Sequence, residues 1–156
     1  MLLELARYYV KIGAGKKIKI LGKFDSELSS LRSALCEMPN VEVVDSFLSA
    51  TDLEKLFSQQ PIFVLPYQSA TQSGVLYTLL FYGQQLVATN TGDLGDILAG
   101  QKLEQFLFSY GNLPSLLVAL NNADKADWNQ YVPELKSRFS DHLISGEIMR
   151  TSKVIS

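Results

Sequence analysis

Two polar stretches have the residue types and setting of a ligand site. Residues 69–74 read Ser-Ala-Thr-Gln-Ser-Gly and residues 89–95 read Thr-Asn-Thr-Gly-Asp-Leu-Gly, each directly after an apolar run. Small hydroxyl and amide residues add nothing to a hydrophobic core, so placed here they suit docking. In the first stretch, Gln72, Ser73 and Gly74 would open a helix with free backbone N–H groups, where the helix dipole favours an anion such as a phosphate. Gly74 also lacks the side chain that would block approach. Equally, Thr71 or Ser73 can be a plain helix cap and Gly74 a point of close packing. The residues by themselves leave these two readings even.

Other chemistry-bearing residues are sparse. His142 is the single histidine and falls in an amphipathic helix, where a structural role outweighs catalysis. One histidine makes no metal site, so neither a metal nor a catalytic residue is assigned. Cys36 precedes a turn on an apolar helix with no base beside it, and is expected in the core. Asp93 and Asp96 can contact a sugar, although Asp93 at a helix start is more simply a favourable first-turn charge. Tyr77, Leu80 and Phe81 are expected as helix core. Lys11, Lys16, Lys17, Lys19 and Lys23 form a basic cluster that suits an anionic membrane surface, though lysines so placed are more often a solvated face.

The elements that would position these residues alternate regularly. A helix over Leu2 to Ile12 is stopped by Gly13 and Gly15, and a strand follows over Lys17 to Leu21. Asp25 caps a helix carrying Leu28, Leu31 and Leu35, a strand starts at Val41, and Ser49 or Thr51 caps a helix ending near Phe57. The apolar run from Pro61 to Pro66 predicts a strand, Gly74 to Tyr82 a helix, Gln85 to Thr89 a strand and Asp93 to Leu98 a short helix. A last strand over Gln105 to Asn112 leads to a helix over Leu113 to Asn121 and a long one over Asp127 to Ile144. Strands that alternate with helices and read as apolar runs predict an α/β fold, a Rossmann-like doubly wound parallel sheet with helices on both faces. Ligands of such sheets bind outside the carboxyl ends of the strands, where both polar stretches fall.

The 156 residues fit one domain, 1–156, and the formal net charge of −2 with 47% hydrophobic residues argues against disorder and against nucleic acid as partner. A lone cysteine forms no internal disulfide, and the N-terminus lacks the order of a signal peptide, so a cytoplasmic location is expected. No apolar stretch approaches the ~20 residues of a membrane-spanning helix.

The order of residues from Val41 to Leu98 resembles the C-terminal, donor-binding half of retaining glycosyltransferases of the large family 4, with the GT-B fold. Pro66, Gly74, Gly83, Thr89, Gly92 and Asp96 follow the family's sequence of strand-ending proline, helix-opening glycine, alternating strand, threonine, glycine loop and acidic helix start. The stretch from Phe106 to Leu120 is similar to the family's strand and helix around phenylalanine, glycine and asparagine, and "KIKILGKF" to its glycine-ended strand.

The resemblance implies a nucleoside-diphosphate sugar of the uridine or guanosine type, held without a cofactor. Ser69, Thr71, Gln72, Ser73, Gly74, Thr78, Thr91 and Gly92 are the donor- and phosphate-binding residues it points to, with bacterial polysaccharide or glycoconjugate synthesis as the setting and the inner membrane face as a peripheral location. Two departures stand out. The family's paired glutamates fall near Ala70 and Thr78, neither acidic, and a threonine hydroxyl offers ribose one weaker partner where a carboxylate accepts twice. The family's arginine and lysine, and its N-terminal acceptor domain, have no counterpart here. The chain is therefore expected to be inactive alone and to work with an acceptor domain or partner chain. Uncovered apolar residues Phe139, Leu143 and Ile144 on the last helix are expected to favour self-association. The alternatives are a non-catalytic protein-interaction module or a degenerate remnant on the same fold, or an unrelated nucleotide-binding α/β protein.

Overall fold

The structure is a computed structural model describing residues 1–22, 24–46, 49–69 and 74–144, with side chains through Phe139. It is an α/β protein of the Rossmann-like kind in which every strand pairing is parallel. The chain divides into two compact units, Met1–Asp52 and the residues from Leu53 on. The strands correspondingly pair in two sheets, where the sequence pattern suggested one.

In the first unit, helix α1 (Leu2–Lys11) buries Leu5 and Ala6, and the Asn40 side chain donates to the Ala6 carbonyl over 3.1 Å. The helix closes in a Schellman turn. Gly13 (φ 63) donates to Val10 O at 3.1 Å, and Ala14 to Tyr9 O at 3.2 Å. Strand β1 (Ile18–Leu21) pairs with β2 (Val41–Val44) in a register that sets Lys19 opposite Glu42, joined at 2.8 Å. Between them, helix α2 (Ser29–Cys36) buries Leu35. Cys36 is exposed, not in the core as expected. It follows Leu35 directly, and successive helical residues point ~100° apart, so the side that hides the leucine turns the thiol outward.

The division falls within helix α3 (Ala50–Ser58). Its start is the expected Ser49, in a reciprocal box: Asp52 N donates to Ser49 Oγ at 3.2 Å, and Ser49 N to Asp52 Oδ2 at 3.2 Å.

In the second unit, β3 (Phe63–Leu65), β4 (Leu86–Thr89) and β5 (Leu107–Phe108) lie in that order. All four residues of β4 are buried, which requires cover on both faces of the strand. Helix α4 (Gly74–Phe81) hides Leu76, Leu79 and Leu80, and α5 (Gly92–Gly100) hides Leu94 and Leu98. Helix α6 (Leu113–Lys125) runs past the expected end, with Asn112 as its cap. The final helix α7 (Val132–Ile144) begins later than expected, after a short turn that stacks Trp128 on Phe106 at 4.7 Å. Phe139 on α7 is buried against Tyr77 of α4, with ring centroids 5.7 Å apart, so it does not belong to an uncovered patch. Leu143 and Ile144 lie beyond the described side chains. Among the described residues no helix is long and apolar enough to cross a membrane.

Candidate functional site

The carboxyl ends of β3 and β4 are fastened to each other by threonines. Thr89, the last residue of β4, is fully buried, and its hydroxyl lies 2.7 Å from the Tyr67 carbonyl and 3.3 Å from that of Leu65. The single hydroxyl proton goes to the nearer oxygen. Thr91 donates to the Gln68 carbonyl at 3.2 Å. Together they hold the backbone of Tyr67 and Gln68 beside the end of β4, just before the polar stretch that leads into α4. Pro66, between Leu65 and Tyr67, is buried. It has no N–H to leave unsatisfied there.

The hydroxyls of Thr91 and Thr78 each donate to a backbone carbonyl. Thr91 stands at the N-cap of α5 but makes no capping bond with its side chain; its hydroxyl donates to the first loop instead. Gly92 opens α5 with φ 48, a left-handed value that glycine adopts without strain. Thr78 is half-buried and donates back along its helix to Gly74 O at 2.9 Å. A hydroxyl has one proton, so beyond this bond the Thr78 oxygen can only accept.

Ser69 is exposed, and Gly74 is half-buried as the first residue of α4. Ser69, Gly74 and Thr78 therefore lie along the loop-to-helix junction after β3, with Thr91 and Gly92 on the loop fastened to it. Thr71, Gln72 and Ser73 lie outside the described residues, as does Lys23.

The helix behind this junction is fixed at its far end. Gly83 (φ 63) donates to Leu80 O at 3.0 Å, and Gln84 to Leu79 O at 2.8 Å, the paired bonds of a Schellman turn. A Cβ added at Gly83 would come within 2.6 Å of Val132 Cγ2. Glycine is needed here for conformation and for space.

A cleft of about 330 Å³ opens beyond the ends of β4 and β5, lined among others by Asn90, Asp96, Glu104, Ser109 and Ser115. Gly95 shapes one wall, since a Cβ there would collide with the Asn90 side-chain oxygen. Ser115 is held by its own hydrogen bonds. Its hydroxyl donates to Asn112 O at 2.9 Å and accepts from Ser109 N at 3.0 Å. Among the described residues no cation lines the cleft, and two carboxylates repel a phosphate, so it suits neutral groups rich in hydroxyls. Asp96, which lines the cleft, was among the residues the sequence singled out. Glu104 and Ser109 were not, because they sit on either side of a two-residue strand that carries no spacing signal of its own. Among the described residues, no group of three or more His, Cys, Asp or Glu side chains is placed to hold a metal ion.

The chain matches no known protein-family model, and no curated protein is significantly similar to it.

Proposed function

We propose that the residues from β3 to α6 bind a nucleoside-diphosphate sugar and form the donor-binding half of a retaining glycosyltransferase acting in the cytoplasm, in bacterial polysaccharide or glycoconjugate synthesis. The observation that carries this reading is the fastening by Thr89 and Thr91, which holds the backbone of Tyr67 and Gln68, on the way into α4, beside the loop into α5 at the carboxyl ends of parallel strands. That is where folds of this class take nucleotides, and a helix start offers the diphosphate its N–H groups. Thr78, one turn into α4, accepts from a ribose hydroxyl. The hydroxyl-rich sugar suits the cleft at Asn90, where Asp96 accepts and the Asn90 amide donates.

In this reading the chain binds and orients the donor. It assigns no general base and no cation to the departing diphosphate, whose growing charge needs stabilisation for transfer. An acceptor domain or partner chain supplies those groups. Calorimetry with uridine and guanosine diphosphates tests the site. Weak binding is expected, with Gly74→Val abolishing it through a β-branched side chain at the helix start. Binding unaltered by Gly74→Val, or absent for both nucleotides, would remove the basis for this function.

A further inference from the structure

The chain's positive charge is concentrated around two exposed aliphatic side chains, Val10 and Ile12. Residues 5–24 hold Arg7, Lys11, Lys16, Lys17, Lys19 and Lys23 and no acidic residue, while the chain as a whole has 14 cations against 16 acids. Outside that stretch eight cations face all 16 acids, a formal charge of −8. Every residue from 10 to 17 is exposed. Within the run, Val10 and Ile12 are 45% and 51% exposed, on either side of Lys11.

Local geometry explains why these side chains stand out. Arg7, Val10 and Lys11 are spaced i, i+3, i+4 and share one side of α1, whereas Leu5 and Ala6 are buried on another. Ile12 is the C-cap, and the Schellman turn at Gly13 carries the chain away. At Gly13 and Gly15, both with φ near 60°, a Cβ would meet nothing within 4 Å. The turn thus projects into open space, while the bond from Asn40 to Ala6 ties the helix behind it to its own unit. Lys19 is paired with Glu42, so Lys11 and Lys17 are the lysines on which the test turns.

We propose that the Val10–Lys17 tip is a docking surface for an anionic lipid bilayer. Lysines beside aliphatic side chains match a surface that is charged at the headgroups and apolar just below. Tyr8 and Tyr9, half-buried at the base of the tip, suit the same boundary. A nucleic-acid backbone would engage the lysines but has no place for Val10 and Ile12.

The test is flotation of the full chain with vesicles of phosphatidylcholine containing about one third phosphatidylserine, and with phosphatidylcholine alone. Binding is expected to the first only and to weaken with salt. The pair Lys11→Gln with Lys17→Gln should lower it by roughly 25-fold, at about five-fold per lysine. The pair Val10→Ser with Ile12→Ser should lower it several-fold without changing the charge. All four positions are exposed, so the folded state is retained. Four outcomes would overturn the proposal: no flotation, equal flotation with neutral vesicles, full binding by the Val10→Ser and Ile12→Ser variant, or tighter binding to duplex DNA at the same salt concentration.

Discussion

The residues from Leu53 onward surround β4 with fully buried side chains such as Leu76, Leu80, Leu94, Leu98 and Phe106, whereas Met1–Asp52 buries Leu5, Ala6, Ile20 and Leu35 among its described hydrophobic residues. The strands show the same contrast. β4 is buried along its whole length, while β1 and β2 each expose their second residue and are otherwise largely half-buried. Apolar burial of this kind is the main source of stability. The second unit therefore has the rigidity to carry loops made of polar residues. The first relies more on its turns, on the Ser49 box and on the exposed Lys19–Glu42 pair, which is worth about 0–1 kcal/mol.

The sharpest way to break this contrast is to empty each core in turn. Phe106→Ala removes a ring that is 1% exposed and stacked on Trp128, and should cost about 3–5 kcal/mol. Ile20→Val in the first unit should cost roughly 1 kcal/mol. Denaturant titration of both variants gives the comparison. A loss from Ile20→Val as large as that from Phe106→Ala would mean that the first core is the more tightly packed and would contradict the contrast.

Smaller effects probe the loop fastening. Thr89→Val keeps the shape but leaves the Tyr67 carbonyl without its donor, at a cost of about 1–3 kcal/mol. Because Thr89 positions the first loop, nucleotide binding should weaken as well; stability loss with binding intact would mean that the fastening does not shape the site. Gly83→Ala forces a positive φ on alanine and presses on Val132, so its melting midpoint should fall by more than a flexible-loop substitution would produce, for a loss of about 1–2 kcal/mol. The smallest effect is at the unit boundary. Ser49→Ala removes the hydroxyl from the box at α3 and should cost about 1 kcal/mol, read as faster amide exchange in the first turn of that helix.

The order and type of elements could be read from the sequence because apolar spacing and glycine stops act over a few residues. Gly13 ends a helix as the spacing predicted, and Ser49 caps one. What depends on partners distant in sequence could not be read. The pairing of strands into two sheets is of this kind, as is the burial of Phe139 by Tyr77. So is the bond from Thr91 to Gln68 across 23 positions. The glycosyltransferase-like order of Gly83 and Thr89 has a physical meaning independent of any ligand: Gly83 stops α4 and Thr89 fastens β3. Those two positions therefore speak for the fold, and the ligand must be argued from Gly74, Thr78 and the cleft at Asn90.

Isotope-labelled chain titrated with uridine and guanosine diphosphate sugars, followed by amide chemical shifts, tests the central claim most directly. Progressive shifts are expected at residues 67–69, 74–78 and 90–92, with Met1–Asp52 unchanged. Shifts confined to Met1–Asp52, or none at any residue at millimolar donor, would contradict the placement of a nucleotide sugar at the fastened loops.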